Sequence, residues 1–293
     1  MKIITYNIDG LPETLDLNDL PWVFKPLVWI YKLFAKTTII HLNDNPGRSE
    51  STKKISHYLK DFDIAVFQED FNYHDELTSE LKDRNWGTFQ GSIDLSKVFS
   101  MVKWFRYKAD GLGMMTTPQI SIVDEDMVEW NNSCGYFSHC NDKLTRKGFR
   151  RYVLMVTQTG QHFVVYALHA DASADLEDVR DSDTRRKQFT QLVDYIRDDK
   201  YTSYVNMPII ILGDTNCTQL DIDKKTINDY LVAPLQDIGF NVEEAQPNDD
   251  IDRAFVANHT DSTNKMVING CEHGVSGLSD HRPFIMDFDI VSC

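Results

Sequence analysis

Positive charge is scarce in this chain: 30 lysines and arginines stand against 45 aspartates and glutamates, a net charge of −15 over 293 residues. Broad, sequence-independent gripping of duplex nucleic acid rests on neutralising phosphates, so that mode is disfavoured, although an enzyme with a local basic site stays open. Long apolar runs are missing too. No stretch of about twenty apolar residues occurs, which argues against a membrane-spanning helix. The opening MKIITYNIDG enters an apolar alternation without the basic region, apolar run and small-residue cleavage site of a signal peptide. Two expectations for location follow: cytoplasmic or peripheral to a membrane if the chain is full-length, secreted if a leader was removed. Cysteine is sparse. Cys134, Cys140, Cys217, Cys271 and Cys293 are odd in number and lack metal-ligand spacing, which fits a reducing compartment. Under oxidation, Cys134 and Cys140 could close a small loop. There is no internal repeat, low-complexity tract or Pro/Gly/Ser linker, so residues 1–293 are expected to form one domain, as a monomer.

What the chain does have is short apolar β-rich runs: IITYNI (3–8), IAVFQE (64–69), LGMMTT (112–117), YVLMVTQ (152–158), HFVVYALHA (162–170), PIIILGD (208–214), AFVAN (254–258) and PFIMDFDI (283–290). Several are apolar on both parities, as strands covered on both faces should be. Helical patterns lie between them. Ser49 to Lys60 offers a serine cap and an Ile55, Tyr58, Leu59 face, and Asp183 to Asp198 places Phe189, Leu192, Val193 and Ile196 on one side. This suggests two sheets packed together with helices outside; periodicity alone admits a doubly wound sheet as well.

The informative residues stand where the strands stop. The first run ends in Asn7-Ile8-Asp9-Gly10, the second in Gln68-Glu69-Asp70, and others in Leu168-His169-Ala170-Asp171 and Gly213-Asp214-Thr215-Asn216. Asp250-Ile251-Asp252-Arg253 precedes AFVAN, and Ser279-Asp280-His281 precedes the last run. Singly, each reads as an ordinary turn with Asx chemistry. Jointly they supply carboxylates, amides and two imidazoles, with no serine or cysteine in a nucleophile elbow. That inventory suits a hard, oxygen-ligated cation such as Mg²⁺, with Mn²⁺ as the alternative, beside a His–Asp acid/base system. Zinc is less natural, because the remaining histidines are scattered without ligand spacing.

The ordered set NIDGLP, FQED, ALHADA, GDTN, IDRAF and LSDHRP resembles the endonuclease/exonuclease/phosphatase superfamily of metal-dependent phosphoesterases, over nearly the whole chain. The resemblance implies an α/β (α+β) four-layer sandwich, with two mainly antiparallel sheets packed face to face and helices outside. Its active site would lie at the strand ends along one edge. The resemblance also implies roles. Glu69 matches the metal-binding glutamate, with Asn7 beside it, Asp9 as a ligand in relatives reading N-x-D-G, and Asp280 in the terminal pair. His169 matches the histidine that hydrogen-bonds the scissile phosphate. Asp214 matches the aspartate near the attacking water or leaving group, and Asn216 its orienting neighbour. His281 matches the terminal histidine and Asp252 the carboxylate that orients it. Asp214 and His281 both remain open as the base.

The branch is read from finer features. NIDGL and GDTN occur in the tyrosyl-DNA phosphodiesterase style, and NIDGL also suits AP endonucleases. The segment Thr145 to Arg150 is similar to a Lys-Gly-Phe loop of sphingomyelinase-like members and offers Lys147 to substrate. Two further stretches carry no acids at all. LPWVFKPLVWIYKLFAKTTIIHLN (20–43) belongs to an apolar-basic insertion near 13–46 and includes Trp29; SKVFSMVKWFRYKA (96–109) includes Trp104. In so acidic a chain they read as an interfacial surface for a bilayer headgroup layer. Packing against the sandwich, or a stacking platform for single-stranded nucleic acid, are the other readings. The expected substrate is therefore a phosphodiester of a lipid headgroup, with a nuclease or DNA-adduct phosphodiesterase as the alternative.

Overall fold

The computed structural model describes residues 1–10, 14–16, 39–41, 46–91, 109–134, 145–172, 179–203, 206–247 and 249–293. Twelve strands form two six-stranded sheets. The first contains β1 (Lys2–Asn7), β4 (Ile64–Gln68), β5 (Asn85–Trp86), β6 (Gly113–Thr116), β13 (Asn264–His273) and β14 (Phe284–Ser292), in the order β13-β14-β1-β4-β6-β5. The second contains β7 (Ile120–Glu129), β8 (Gly148–Val156), β9 (His162–His169), β10 (Ile209–Asp214), β11 (Phe240–Glu244) and β12 (Asp252–His259), in the order β11-β12-β10-β9-β8-β7. Both are mixed. β1 runs parallel to β4 and β10 parallel to β9; every other pairing within them is antiparallel. β2 (Thr14–Asp16) and β3 (Ile39–His41) form a separate antiparallel pair within the expected insertion. The rest of that stretch, Trp29 with it, lies outside the described residues, as do Trp104 and Cys140.

Strand parity builds the layers. Ile3 of β1 and Ile210 and Leu212 of β10 face into the seam between the sheets, where they meet Ile64, Val66, Val165 and Val256. Ile4 and Tyr6 turn outward onto Ile55 and Leu59 of the helical segment 46–61, while Ile209 and Ile211 pack beneath Phe189, Leu192 and Ile196 of the helix Val179–Asp198. Apolar residues on both parities thus mean two buried faces. The order of layers is helix, sheet, sheet, helix.

Two sequence expectations change. The helix expected to start at a Ser49 cap begins at Pro46, whose fixed φ suits the first turn, and Ser49 Oγ instead donates to Glu76 Oε1 at 2.9 Å. β7, β11 and β13 carry no strong apolar run, because each has charged residues facing solvent. Cys134 is a free thiol, as are Cys217, Cys271 and Cys293.

Candidate active site

Period-two alternation carries the seam-facing positions to the strand ends. In β1 the series Ile3, Thr5, Asn7 ends on an amide, and in β9 the series Val165, Ala167, His169 ends on an imidazole. In β10 Ile210, Leu212, Asp214 ends on a carboxylate, and in β12 Val256, Ala254, Asp252 ends on another. Register then aligns them: Asp214 lies opposite His169 on one side and Asp252 on the other. Asp252 opens its strand instead of preceding it. Glu69 is different. It follows Gln68, which faces the seam and hydrogen-bonds Thr5 at 3.0 Å, so continued alternation would point Glu69 away. Its φ of 60° breaks the alternation, and left-handed conformations recur at Asp9 (48°) and Asn216 (49°). Such backbone costs of order 1–3 kcal/mol for a side chain like Glu and persists where the surroundings impose it. Gly10 shows the crowding, since a Cβ there would sit 2.3 Å from the Glu69 carbonyl oxygen.

The two sheets meet through Asn7. Its Nδ2 lies 3.3 Å from Glu69 Oε1, 3.3 Å from Asp214 Oδ2 and 3.4 Å from His281 Nε2. Its Oδ1 accepts the Asp9 backbone N–H at 3.1 Å, which fixes the orientation of the amide. Asp214 Oδ2 also lies 3.4 Å from His169 Nε2 and 3.9 Å from His281 Nε2. His281 Nδ1 meets Asp252 Oδ2 at 2.7 Å. Asn216 donates its N–H to Asp214 Oδ1 at 2.9 Å and its Nδ2 to the Ala170 carbonyl at 3.0 Å, tying the loops after β9 and β10 together.

Electrostatics follow from burial and from mutual repulsion of acids. Burial pushes Asp214 up to about 6, helped by Asp252 and opposed by His281 and Lys147. Burial also raises Glu69, with Asp280 and Asp214 adding to it while Lys147 and the Asn7 bond pull it back. Asp9 rises to about 7, again through burial first, against the pull of Arg48. For His281, burial opposes the charge, but the Asp252 bond and the charges of Asp252, Asp214 and Asp280 win and hold it up to about 10. Buried His169 is driven far below its usual value, with Lys147 and His281 adding to the effect, so it is neutral at pH 7. Lys147 is 8 % exposed and felt by Glu69, Asp214 and His169, which places the Lys-Gly-Phe segment at the site.

The acids around Glu69 (Asp9, Asp214 and Asp280) are oxygen donors that repel one another, which suits a hard divalent cation. Geometry grades the four expected ligands. Glu69 is half-buried in the field of Asp280; Asn7 turns its NH₂ to the carboxylates; Asp9 pairs with Arg48 at 2.9 Å. Among the described residues, the tight acid–imidazole cluster is Asp214, Asp252 and His281, with ligand atoms within 4.8 Å of one another. Two participants escaped the sequence reading. Arg48 gives no signal, lying beyond the insertion from its partner. Ser279 stood in view inside LSDHRP; its Oγ donates to the Asn7 carbonyl at 2.7 Å and accepts the His281 N–H at 3.2 Å, docking the terminal loop onto β1.

Two face-to-face mixed sheets with helices outside, and a polar cluster at one set of strand ends, make a fold that this chain shares with solved phosphoesterase structures, one of them an endonuclease/exonuclease/phosphatase. No family model matches the chain, and neither does any curated protein sequence. Solved structures do. Sphingomyelinase C from Streptomyces griseocarneus superposes with a TM-score of 0.59 at 17% identity, covering 98% of each chain. A beta toxin mutant from Staphylococcus aureus with bound magnesium ions gives 0.60 at 16%, covering 97% of this chain and 98% of that one. An endonuclease/exonuclease/phosphatase from Bacteroides vulgatus gives 0.58 at 15%, covering 99% and 98%.

Proposed function

We propose that the chain is a divalent-cation-dependent phosphodiesterase acting on a phospholipid headgroup ester, in the manner of a sphingomyelinase. The observation that carries hydrolysis is the environment of Asp214 Oδ2, in reach of Asn7, His169 and His281 at once. A cation held by Glu69, with Asn7 and Asp280 around it, would polarise a non-bridging phosphate oxygen and offset charge on the leaving oxygen. Neutral His169 offers a hydrogen bond to the phosphoryl group, and Lys147 offsets its charge. Asp214, ionised above about 6, receives the proton of the attacking water. His281, charged and tethered by Asp252, keeps Asp214 ionised and steadies the growing negative charge. Water forms the new O–P bond as the ester oxygen leaves. Asn216 fixes the Asp214 carboxylate through its N–H.

Lipid is favoured by two features. The fold neighbours include a sphingomyelinase C. Both acid-free basic-aromatic stretches adjoin, in sequence, segments that meet the Glu69 strand end: one follows Gly10, which would clash with Glu69 if it bore a Cβ, and the other leads into Gly111, whose carbonyl accepts the Asp70 N–H at 2.9 Å. The second reading, a nuclease or DNA-adduct phosphodiesterase, rests on NIDGL and GDTN. The deciding experiment assays sphingomyelin, an abasic-site duplex, a phosphotyrosyl-DNA adduct and soluble inositol phosphates side by side with Mg²⁺. Sphingomyelin as the best substrate supports the lipid reading, and a nucleic-acid substrate ahead of it replaces that reading.

A further inference from the structure

Asp9 is the odd member of the acidic group. Its carboxylate does not turn toward Glu69 alone: Oδ1 lies 2.9 Å from Nη2 of Arg48, with the two side chains 23% and 25% exposed. The launch of that carboxylate is fixed from behind, because Asp9 sits at φ 48° with its N–H on Asn7 Oδ1 at 3.1 Å. Arg48 is equally constrained. It occupies the first turn of the helix Pro46–Tyr58, whose next residue, Ser49, is bonded at 2.9 Å to Glu76 of the helix His74–Thr78. The guanidinium and the positive end of that helix therefore reach Asp9 from one side. Beyond the pair a cleft of about 280 Å³ opens toward Ser279 and Asp280.

A carboxylate held this way is a poor ligand, since coordination would strip it from a cation already in place. A second metal ion beside it would also sit against the guanidinium. We propose that Arg48 is a positioning residue that keeps Asp9 out of the metal's coordination, so that the site takes a single divalent cation anchored on Glu69. Asp9 then works through its neighbours: its N–H orients the Asn7 amide, and its carboxylate pins the helix to the strand-end loop. This inference rests on the phosphodiesterase reading.

The test titrates Mg²⁺ alone into the purified full chain by calorimetry, and Mn²⁺ by electron paramagnetic resonance, without substrate. Wild type should bind one ion. Glu69→Gln should weaken it by about tenfold or more. The double variant Asp9→Asn with Arg48→Gln removes a partly exposed ion pair as a unit and should stay within about fivefold of wild type. Arg48→Gln alone frees the carboxylate and should bind the ion more tightly or take up a second one. Melting curves with chelator check that each variant is folded. If the double variant loses the ion as Glu69→Gln does, or Arg48→Gln changes neither affinity nor stoichiometry, Arg48 does not have this role. If wild type binds no ion at all, the cation-dependent reading itself fails.

Discussion

Asp214 and His169 face each other across the parallel pair β10 and β9, with Oδ2 and Nε2 3.4 Å apart where both strands end. An acid near 6 beside an imidazole far below its usual range gives a pair that carries one negative charge at pH 7. That arrangement accepts a proton on oxygen and offers a hydrogen bond from nitrogen, a division of labour that makes the site testable one residue at a time.

Removing His281 or His169 should abolish chemistry and spare the fold. Each alanine variant should lose about 10²–10⁴-fold in kcat, the range for acid–base groups, with little change in Tm. Asp252→Asn should fall in the same direction, because the 2.7 Å bond to Nδ1 is what keeps His281 charged. A loss of only a few-fold for His281→Ala would reduce the terminal loop to a structural turn.

Metal and protons should compete. Asp9 near 7 and Asp214 near 6 lie above the unfolded carboxylate value of about 3.9, so the folded metal-free protein holds the extra protons. Its stability therefore drops as pH rises through that window. His281 acts in the same sense: its contribution is complete below about 6.5 and fades as pH rises toward about 10. A cation anchored on Glu69, whose carboxyl burial raises above its usual range, prefers that group ionised. Chelated protein should melt lower at pH 9 than at pH 6, and the Tm gain from Mg²⁺ should be larger at pH 8 than at pH 5.5. Scanning calorimetry with and without chelator measures both. A gain from Mg²⁺ that is independent of pH would detach Glu69 from the metal.

Arg253 braces the site from behind. On the opposite face of β12 from Asp252, its Nη1 meets Glu244 at 2.6 Å and its Nη2 donates to the Cys217 and Thr218 carbonyls at 3.2 and 3.1 Å, just beyond Asn216. Arg253→Met strands these groups and should cost up to about 3–5 kcal/mol in a urea melt. Arg253→Lys should recover only part, because a single ammonium nitrogen cannot reach both Glu244 and the Cys217 and Thr218 carbonyls as the two guanidinium nitrogens do. An unchanged melt would mean the loop stands without it.

Trp29→Ala and Trp104→Ala should weaken co-sedimentation with vesicles while leaving hydrolysis of a short soluble phosphodiester near normal. Each buried aromatic contributes roughly 1.5–3 kcal/mol to insertion, and each nearby Lys or Arg about 1 kcal/mol on an anionic surface. Wild-type protein that ignores vesicles of every composition would favour the nucleic-acid alternative.

The strand ends were legible because largely apolar runs stop on Asn7, His169 and Asp214, and because six polar motifs occur in order, four closing a strand and two opening or preceding one. Less could be read where one face meets solvent. β7 reads ISIVDEDMVE, with Asp124 paired to Arg151 and Asp126 accepting from Tyr195, so its strand character comes from partners far along the chain. β13 mixes polar residues with a register shift between Ile268 and Gly270. The same distance hid Arg48 from Asp9. The turn that aims Glu69 inward is a backbone conformation, which composition does not announce.

β1 lies between β4 and β14, and His281 stands just ahead of β14, so the strand that supplies Asn7 is flanked on one side by residues nearly the whole chain away. Contacts of such long range close late in folding. During synthesis, a ribosome-bound chain carrying residues 1 to 270 would hold Glu69, His169, Asp214 and Asp252 yet have no hydrolytic capacity. Competence would arrive in a single event, when the final strand docks beside the first. Partly folded forms of this protein would then be chemically silent, and the onset of turnover would serve as a clock for the last step of assembly.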